Sequence, residues 1–454
     1  MPLPAAMPAK TSPGRTRRAG LRPPTLAERF SARHNALGVL RLGLASAVIV
    51  GHARPLGGFD KDQFGHELTA GQTNIGALAV YGFFVLSGFL ITGSGLRFPL
   101  GRYAWHRFLR IFPGLWVCLL VTAFVIAPLV ALYERGNLDG FWHHPQGPVS
   151  YVTANLFPAW QRSTISGLLS ETPLGQALGG RPTSFDTSLW TLRYELACYA
   201  LVGALLATRV LRRAPRAVVL LAALCWLVLL RDTLGASTLT AGLRNRGSLG
   251  PFPVIGQFSV HQLLCLGFLF LLGASARLYR HRIPMHGALA ALAGGVLAVS
   301  LWQGGFFVLG LPAYAYLLFY LAVALPGPFR RIGRARDYSY GIYIYGWPVQ
   351  QVIALVGGAR YGLPVYVLLS VLGTLALAVP SWHLVERPAM RLKDRPLPAA
   401  LRRARRPAAP RPLVWSTTTV PLPASAREHA ARRAARRELA DSPAAGHASP
   451  AKTT

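Results

Sequence analysis

The feature that most constrains this chain is a series of apolar stretches, each about 20 residues long, separated by short arginine-bearing loops. A stretch of that length crosses the ~30 Å hydrocarbon core as a helix, which satisfies its own backbone where no water can. Such stretches fall at roughly 35–55, 74–96, 113–133, 188–208, 216–234, 258–277, 286–303, 305–326, 338–357 and 363–385. They predict an all-α, polytopic transmembrane helical bundle of about ten spans, with no soluble catalytic domain. Composition agrees, since 52% of the 454 residues are hydrophobic and only 14% are charged, unlike an ordinary soluble domain.

The formal net charge of +32 would suit nucleic acid or an anionic surface, and the placement of the charges decides between them. Arginines collect in alternate loops: Arg97 to Arg110, Arg209 to Arg216, Arg277 to Arg282 and Arg330 to Arg336. The intervening loops are poorer in them, apart from the stretch around Arg244 and Arg246. This alternation is a topology signal that puts both termini in the cytoplasm, and nucleic acid is not an expected partner. The expected organisation is a basic, disordered segment at 1–34, a membrane domain at 35–392 and an Ala/Arg/Pro-rich disordered tail at 393–454. Within that tail, Arg427 to Leu439 also has the composition of a basic surface helix. No removable signal peptide is expected, so insertion would begin with the first span.

Ionisable residues inside spans are costly and usually face a bundle interior. The first span, LRLGLASAVIVGH, carries Arg41 and His52 on one helical face, separated by about 16 Å of rise. Two readings stay open. Arg41 could snorkel to the headgroups while His52 caps the far end, or the pair could mark a polar path through the bundle. In the fourth span, TSLWTLRYELACYAL, Glu195 is expected ~12 Å below the outer surface, closer in depth to His52 than to Arg41. A carboxylate there could orient an imidazole, or simply pair with an arginine. The inner loop GRYAWHRFLRIFPG presents Arg102, Arg107 and Arg110 beside aromatics and is expected to stop at Pro113. Guanidinium forks in such a segment suit phosphate or lipid headgroups. The four cysteines sit in apolar runs without metal spacing, and no metal is expected.

These stretches, in order, resemble acyltransferase family 3, multi-pass membrane acyltransferases of the bacterial polysaccharide O-acetylase type. Arg41, ten residues and then His52 is similar to the family's first-helix signature. YGFFVLSGFLI, RFLRIFPGLW, SLWTLRYELACY, DYSYGIYIYGWPVQQ and LVERP are similar to its later elements. The resemblance implies an O-acyltransferase of the bacterial cytoplasmic (inner) membrane. It would move an acyl group, usually acetyl, from cytoplasmic acyl-CoA to a hydroxyl of an extracytoplasmic glycan or lipid-linked sugar, with no bound cofactor. It implies catalytic roles for His52, Arg41 and Glu195, and a donor site at Arg102, Arg107 and Arg110. Trp190 and Tyr194 are then placed to pack a sugar. Leu196 stands where many relatives carry a second Glu. Many relatives also have an appended esterase-type domain, which is not expected here, so a separate extracytoplasmic partner could complete transfer. Membrane lipids are further expected partners. Competing readings are a transporter or flippase that uses the intramembrane Arg, His and Glu, or an acyltransferase acting on a secondary metabolite or lipid.

Overall fold

A computed structural model describes residues 22–395, except 33, 160 and 254. Every expected stretch contains a helix. They are α1 (Leu37–Gly57), α2 (Ile75–Arg97), α3 (Leu100–Arg135), α4 (Trp190–Ala207), α5 (Arg216–Leu234), α6 (Val260–Leu278), α7 (Gly287–Gln303), α8 (Phe306–Ala324), α9 (Ser339–Leu355) and α10 (Leu363–Ser381). Among the described residues, seven helices are long and apolar enough to cross a membrane alone: α1, α2, α3, α5, α6, α8 and α10 with its extension. The other three explain themselves. Helix α4 carries Arg193 and Glu195, while α7 and α9 have 17 residues each, about 25 Å of rise. The fold is an all-α multi-pass membrane bundle. Its one sheet among the described residues is the hairpin of β1 (Ser248–Phe252) and β2 (Gly256–Ser259), antiparallel with Ser248 opposite Ser259.

Helix α2 is the hub, packed between α1 and α6. Its closest neighbour is α6, and two glycines allow the approach. A Cβ on Gly88 would collide with the Phe270 carbonyl, and one on Gly273 with the Val85 carbonyl. Small residues at a crossing let membrane helices pack by direct backbone contact, where hydrophobicity offers no drive against lipid. Gly51 serves the α1–α2 crossing in the same way, since a Cβ there would lie 2.6 Å from the Gly76 nitrogen.

Helix α9 is buried along nearly its whole length and is tied to its neighbours by polar bonds. Gln350 Nε2 donates to the Ile49 carbonyl of α1 across 2.9 Å, and Gln351 Nε2 donates to Thr183 Oγ1 across 3.0 Å. The arginine-bearing loops share one end of the bundle. There Arg212, between α4 and α5, donates to the Leu96 carbonyl at the end of α2 across 3.3 Å.

Two local features differ from the sequence expectation. Pro113 does not end the arginine-bearing segment, because α3 runs from Leu100 through Pro113 and a π turn at Thr122–Ile126 to Arg135. Pro113 removes the hydrogen bond to the Leu109 carbonyl four residues back, a loss that a membrane helix packed among neighbours tolerates; close by, the Tyr340 hydroxyl ties α9 to α3 by donating to the Ile111 carbonyl across 2.8 Å. Within the segment expected to be disordered, Leu26–Arg29 forms a short helix closed by a Thr25/Glu28 capping box, and Leu26 is fully buried. Residues 1–21 and the basic tail beyond 395, including Arg427 to Leu439, lie outside the described residues.

Candidate active site

At the arginine-rich end, three helices converge on one carboxylate. Asp337 lies two residues before α9, and its Oδ2 lies 2.7 Å from Arg41 Nη1 of α1 and 2.9 Å from Arg110 Nη2 of α3. Its other oxygen accepts from Ser339 Oγ across 2.6 Å. Burial by itself would raise the Asp337 pKa, but the guanidiniums of Arg41 and Arg110 outweigh it and hold the carboxyl well below the usual range. Arg110 also lies over the Tyr340 ring, 5.5 Å from its centroid, and 3.9 Å from the buried Glu386 carboxylate. Arg41 therefore neither snorkels freely nor presents an unpaired charge. It belongs to a cluster that ties α1, α3 and α9 together.

Above this cluster is a narrow cavity of about 60 Å³, lined by Arg41, Arg110, Glu195, Ser87, Thr191 and Tyr343 among others. The Thr191 and Tyr343 hydroxyls are 2.5 Å apart. Glu195 accepts a hydrogen bond from Tyr199, one turn further along α4, and Arg107 lies over the Tyr199 ring, 5.6 Å from its centroid. Glu195 thus sits at the depth of Arg41, not beside His52. The physical reason is where α4 begins. The segment before it does not lie on the outer surface; Thr183, Asp186 and Ser188 are buried, and Trp347 and Gln351 of α9 hydrogen-bond to the Ser184 carbonyl. The first turn of α4 therefore starts inside the bundle, and every later residue is deeper than hydropathy alone suggests.

His52 lies eleven residues further along α1 than Arg41. Its ring meets Trp347 edge-on, with centroids 4.9 Å apart and planes at 67°. Trp347 is itself fixed, donating through Nε1 to Ser184 across 3.0 Å. The buried Nδ1 of His52 has no hydrogen-bond partner among the described residues.

Helix α4 also divides two spaces. Thr191 and Glu195, four residues apart, face the narrow cavity, while Trp190 and Tyr194 face a vestibule of about 1100 Å³. Gln257, Gln262, Asn245 and His261 line that vestibule too, giving amide, imidazole and aromatic surfaces. The Trp190 and Tyr194 rings meet edge-on at 5.5 Å, and Tyr194 Oη accepts from the Ser259 amide across 2.9 Å. Of the three arginines in the segment from Gly101 to Gly114, Arg110 joins the Asp337 cluster and Arg107 meets Tyr199, whereas Arg102 donates to the Lys393 carbonyl across 3.2 Å. Sequence reasoning missed Asp337, Tyr199, Trp347 and His261. An acid at the edge of an arginine-rich loop, immediately before a span, was the available signal for Asp337.

Comparison with known proteins adds an independent line. Residues 34–383 match the family model described as an acyltransferase domain. The chain is 28% identical over 332 residues to nodulation protein 10 of Rhizobium leguminosarum bv. viciae, covering 68% of this chain and 81% of that one. It is 27% identical over 368 residues to the O-acetyl transferase of Shigella phage Sf6, covering 78% of this chain and 96% of that one. No solved structure matches. The matched region holds the Arg41–Asp337–Arg110 cluster, His52 and the vestibule, and the chain belongs to acyltransferase family 3 as a multi-pass membrane O-acyltransferase.

Proposed function

We propose that the protein transfers an acyl group, in the first instance acetyl, from cytoplasmic acyl-CoA to a hydroxyl of an extracytoplasmic glycan or lipid-linked sugar. The observation that carries this reading is the pair of spaces on the two sides of α4, a cavity holding Arg41, Arg110 and Glu195 and an aromatic, amide-lined vestibule, together with the His52 imidazole of α1 set against Trp347. The O-acetyl transferase of phage Sf6 supports acetyl as the group moved. The loop arginines support cytoplasmic termini in a bacterial inner membrane.

In this reading Arg102, Arg107 and Arg110 hold the CoA phosphates, since guanidinium forks match phosphate oxygens. Arg41, kept in place by Asp337, stabilises negative charge of the donor near the inner end, and the thioester reaches toward His52. His52 takes the proton from the acceptor hydroxyl as that oxygen attacks the thioester carbonyl. The C–S bond breaks and the CoA thiolate leaves. The same imidazole can alternatively accept the acyl group first and pass it to the hydroxyl. Trp190 and Tyr194 pack the sugar. Glu195, bonded to Tyr199, acts on the donor side beside Arg41 and does not orient the imidazole.

Membranes containing the protein, incubated with acetyl-labelled acetyl-CoA and a saccharide acceptor, test this reading. Alkali-labile label in the saccharide fraction is expected. Label accumulating inside vesicles without covalent product would overturn it in favour of transport.

A further inference from the structure

Helices α5 and α8 both lie against α6, but they are joined to each other toward one end. There Trp226 of α5 donates through Nε1 to the Val308 carbonyl across 2.9 Å, in the π turn that opens α8. Toward the arginine-rich end they part over α6 and leave a groove of about 650 Å³. Leu272 and Ala276 of α6 form its floor, and Val219, Leu220, Ala315 and Phe319 form its walls. Its rim has a different chemistry. Arg216, the first residue of α5, and Arg282, in the loop after α6, both line it and are exposed. No acidic residue is among those that line it.

The cationic rim is held in place. Arg282 stands over the Tyr279 ring, 5.6 Å from its centroid, and its amide donates to the Tyr279 carbonyl across 2.8 Å. Tyr316 Oη donates to the Pro284 carbonyl across 2.8 Å, which ties the loop to α8. From the other side, the Leu26 amide donates to the Ile283 carbonyl across 2.8 Å, as the Met285 amide does to Pro24. The capped helix at Leu26–Arg29 thus braces the loop that carries Arg282.

We propose that this groove is a binding site for an anionic phospholipid, with one acyl chain along the apolar floor and the headgroup phosphate between Arg216 and Arg282. The occupant follows from charge complementarity. An apolar groove open to the bilayer takes hydrocarbon from any lipid, but two guanidiniums without a carboxylate select a headgroup with net negative charge. The groove shares no lining residue with the Arg41 cavity or the vestibule, so the site is independent of acyl transfer and rests only on membrane insertion.

The test is native mass spectrometry of the full-length, detergent-purified protein, titrated with phosphatidylglycerol and with phosphatidylcholine of the same chains. The first phosphatidylglycerol is expected to bind about tenfold tighter or more than phosphatidylcholine. The double variant Arg216→Gln/Arg282→Gln should bring the two lipids to within about twofold, at an unchanged melting temperature. Arg213→Gln/Arg331→Gln, which removes two exposed arginines from the same end, should keep the preference. Equal binding of both lipids by the unaltered protein, or a preference that survives Arg216→Gln/Arg282→Gln, would overturn the proposal. So would a dimer that dissociates on that double substitution, because the groove would then hold a second copy of the chain.

Discussion

Asp337 holds two guanidiniums at once, and that decides what each can do. Removing one partner from a partly buried ion cluster leaves charge less compensated, which costs about 1–3 kcal/mol. Asp337→Asn should therefore lower the melting temperature in detergent and reduce acetyl transfer, while Asp337→Glu should keep part of both. Because the folded-state pKa of Asp337 is depressed, its contribution to stability is fully present above its unfolded value of about 4 and is lost as pH falls through the folded value. The melting temperature of the unaltered protein should thus fall more steeply with acidification below about pH 4 than that of Asp337→Asn. Glu195 supplies a second test at this scale. It bonds Tyr199 and lines the cavity with Arg41, so Glu195→Gln should lower the rate without moving the pH midpoint of the activity profile. A displaced midpoint would mean that the carboxylate acts on the imidazole.

The elements were largely legible before the structure, because a run of some 20 apolar residues in lipid has few options besides a helix. All ten expected stretches hold helices. Depth within the bundle was not legible. Hydropathy marks where an apolar run starts but not whether the preceding loop folds inward, and the buried segment from Thr183 to Ser188 does so. That displacement moved Glu195 from His52 to Arg41. Arg41 and His52 shared a face by helical period alone, whereas Asp337 and Trp347 join them only through the packing of α9 against α1. Those contacts are set across almost 300 residues of sequence, beyond the reach of any local pattern. The crossing of α2 and α6 makes an element-scale prediction. Gly273→Val drives a branched side chain into the Val85 carbonyl and should destabilise the fold by about 1–3 kcal/mol or more. Thermal unfolding followed by intrinsic fluorescence in detergent measures it; an unchanged melting temperature would mean that the helices can separate freely.

At the scale of the whole molecule, α1 carries two unlike polar groups into the bundle. One belongs to an ion cluster shared among three helices, and the other is an imidazole set against a tryptophan, with α4 as the wall between the Arg41 cavity and the vestibule. Helices that carry ionisable groups are stabilised here by facing one another, which is what the intramembrane Arg, His and Glu require. Everything proposed about catalysis passes through His52, so the most direct measurement compares transfer of labelled acetyl from acetyl-CoA to acceptor in membranes containing the unaltered protein or His52→Ala, at matched protein abundance. His52→Ala should lower the rate by about 100-fold or more with the melting temperature little changed; membranes of that variant that transfer acetyl at the unaltered rate would exclude the imidazole from the reaction.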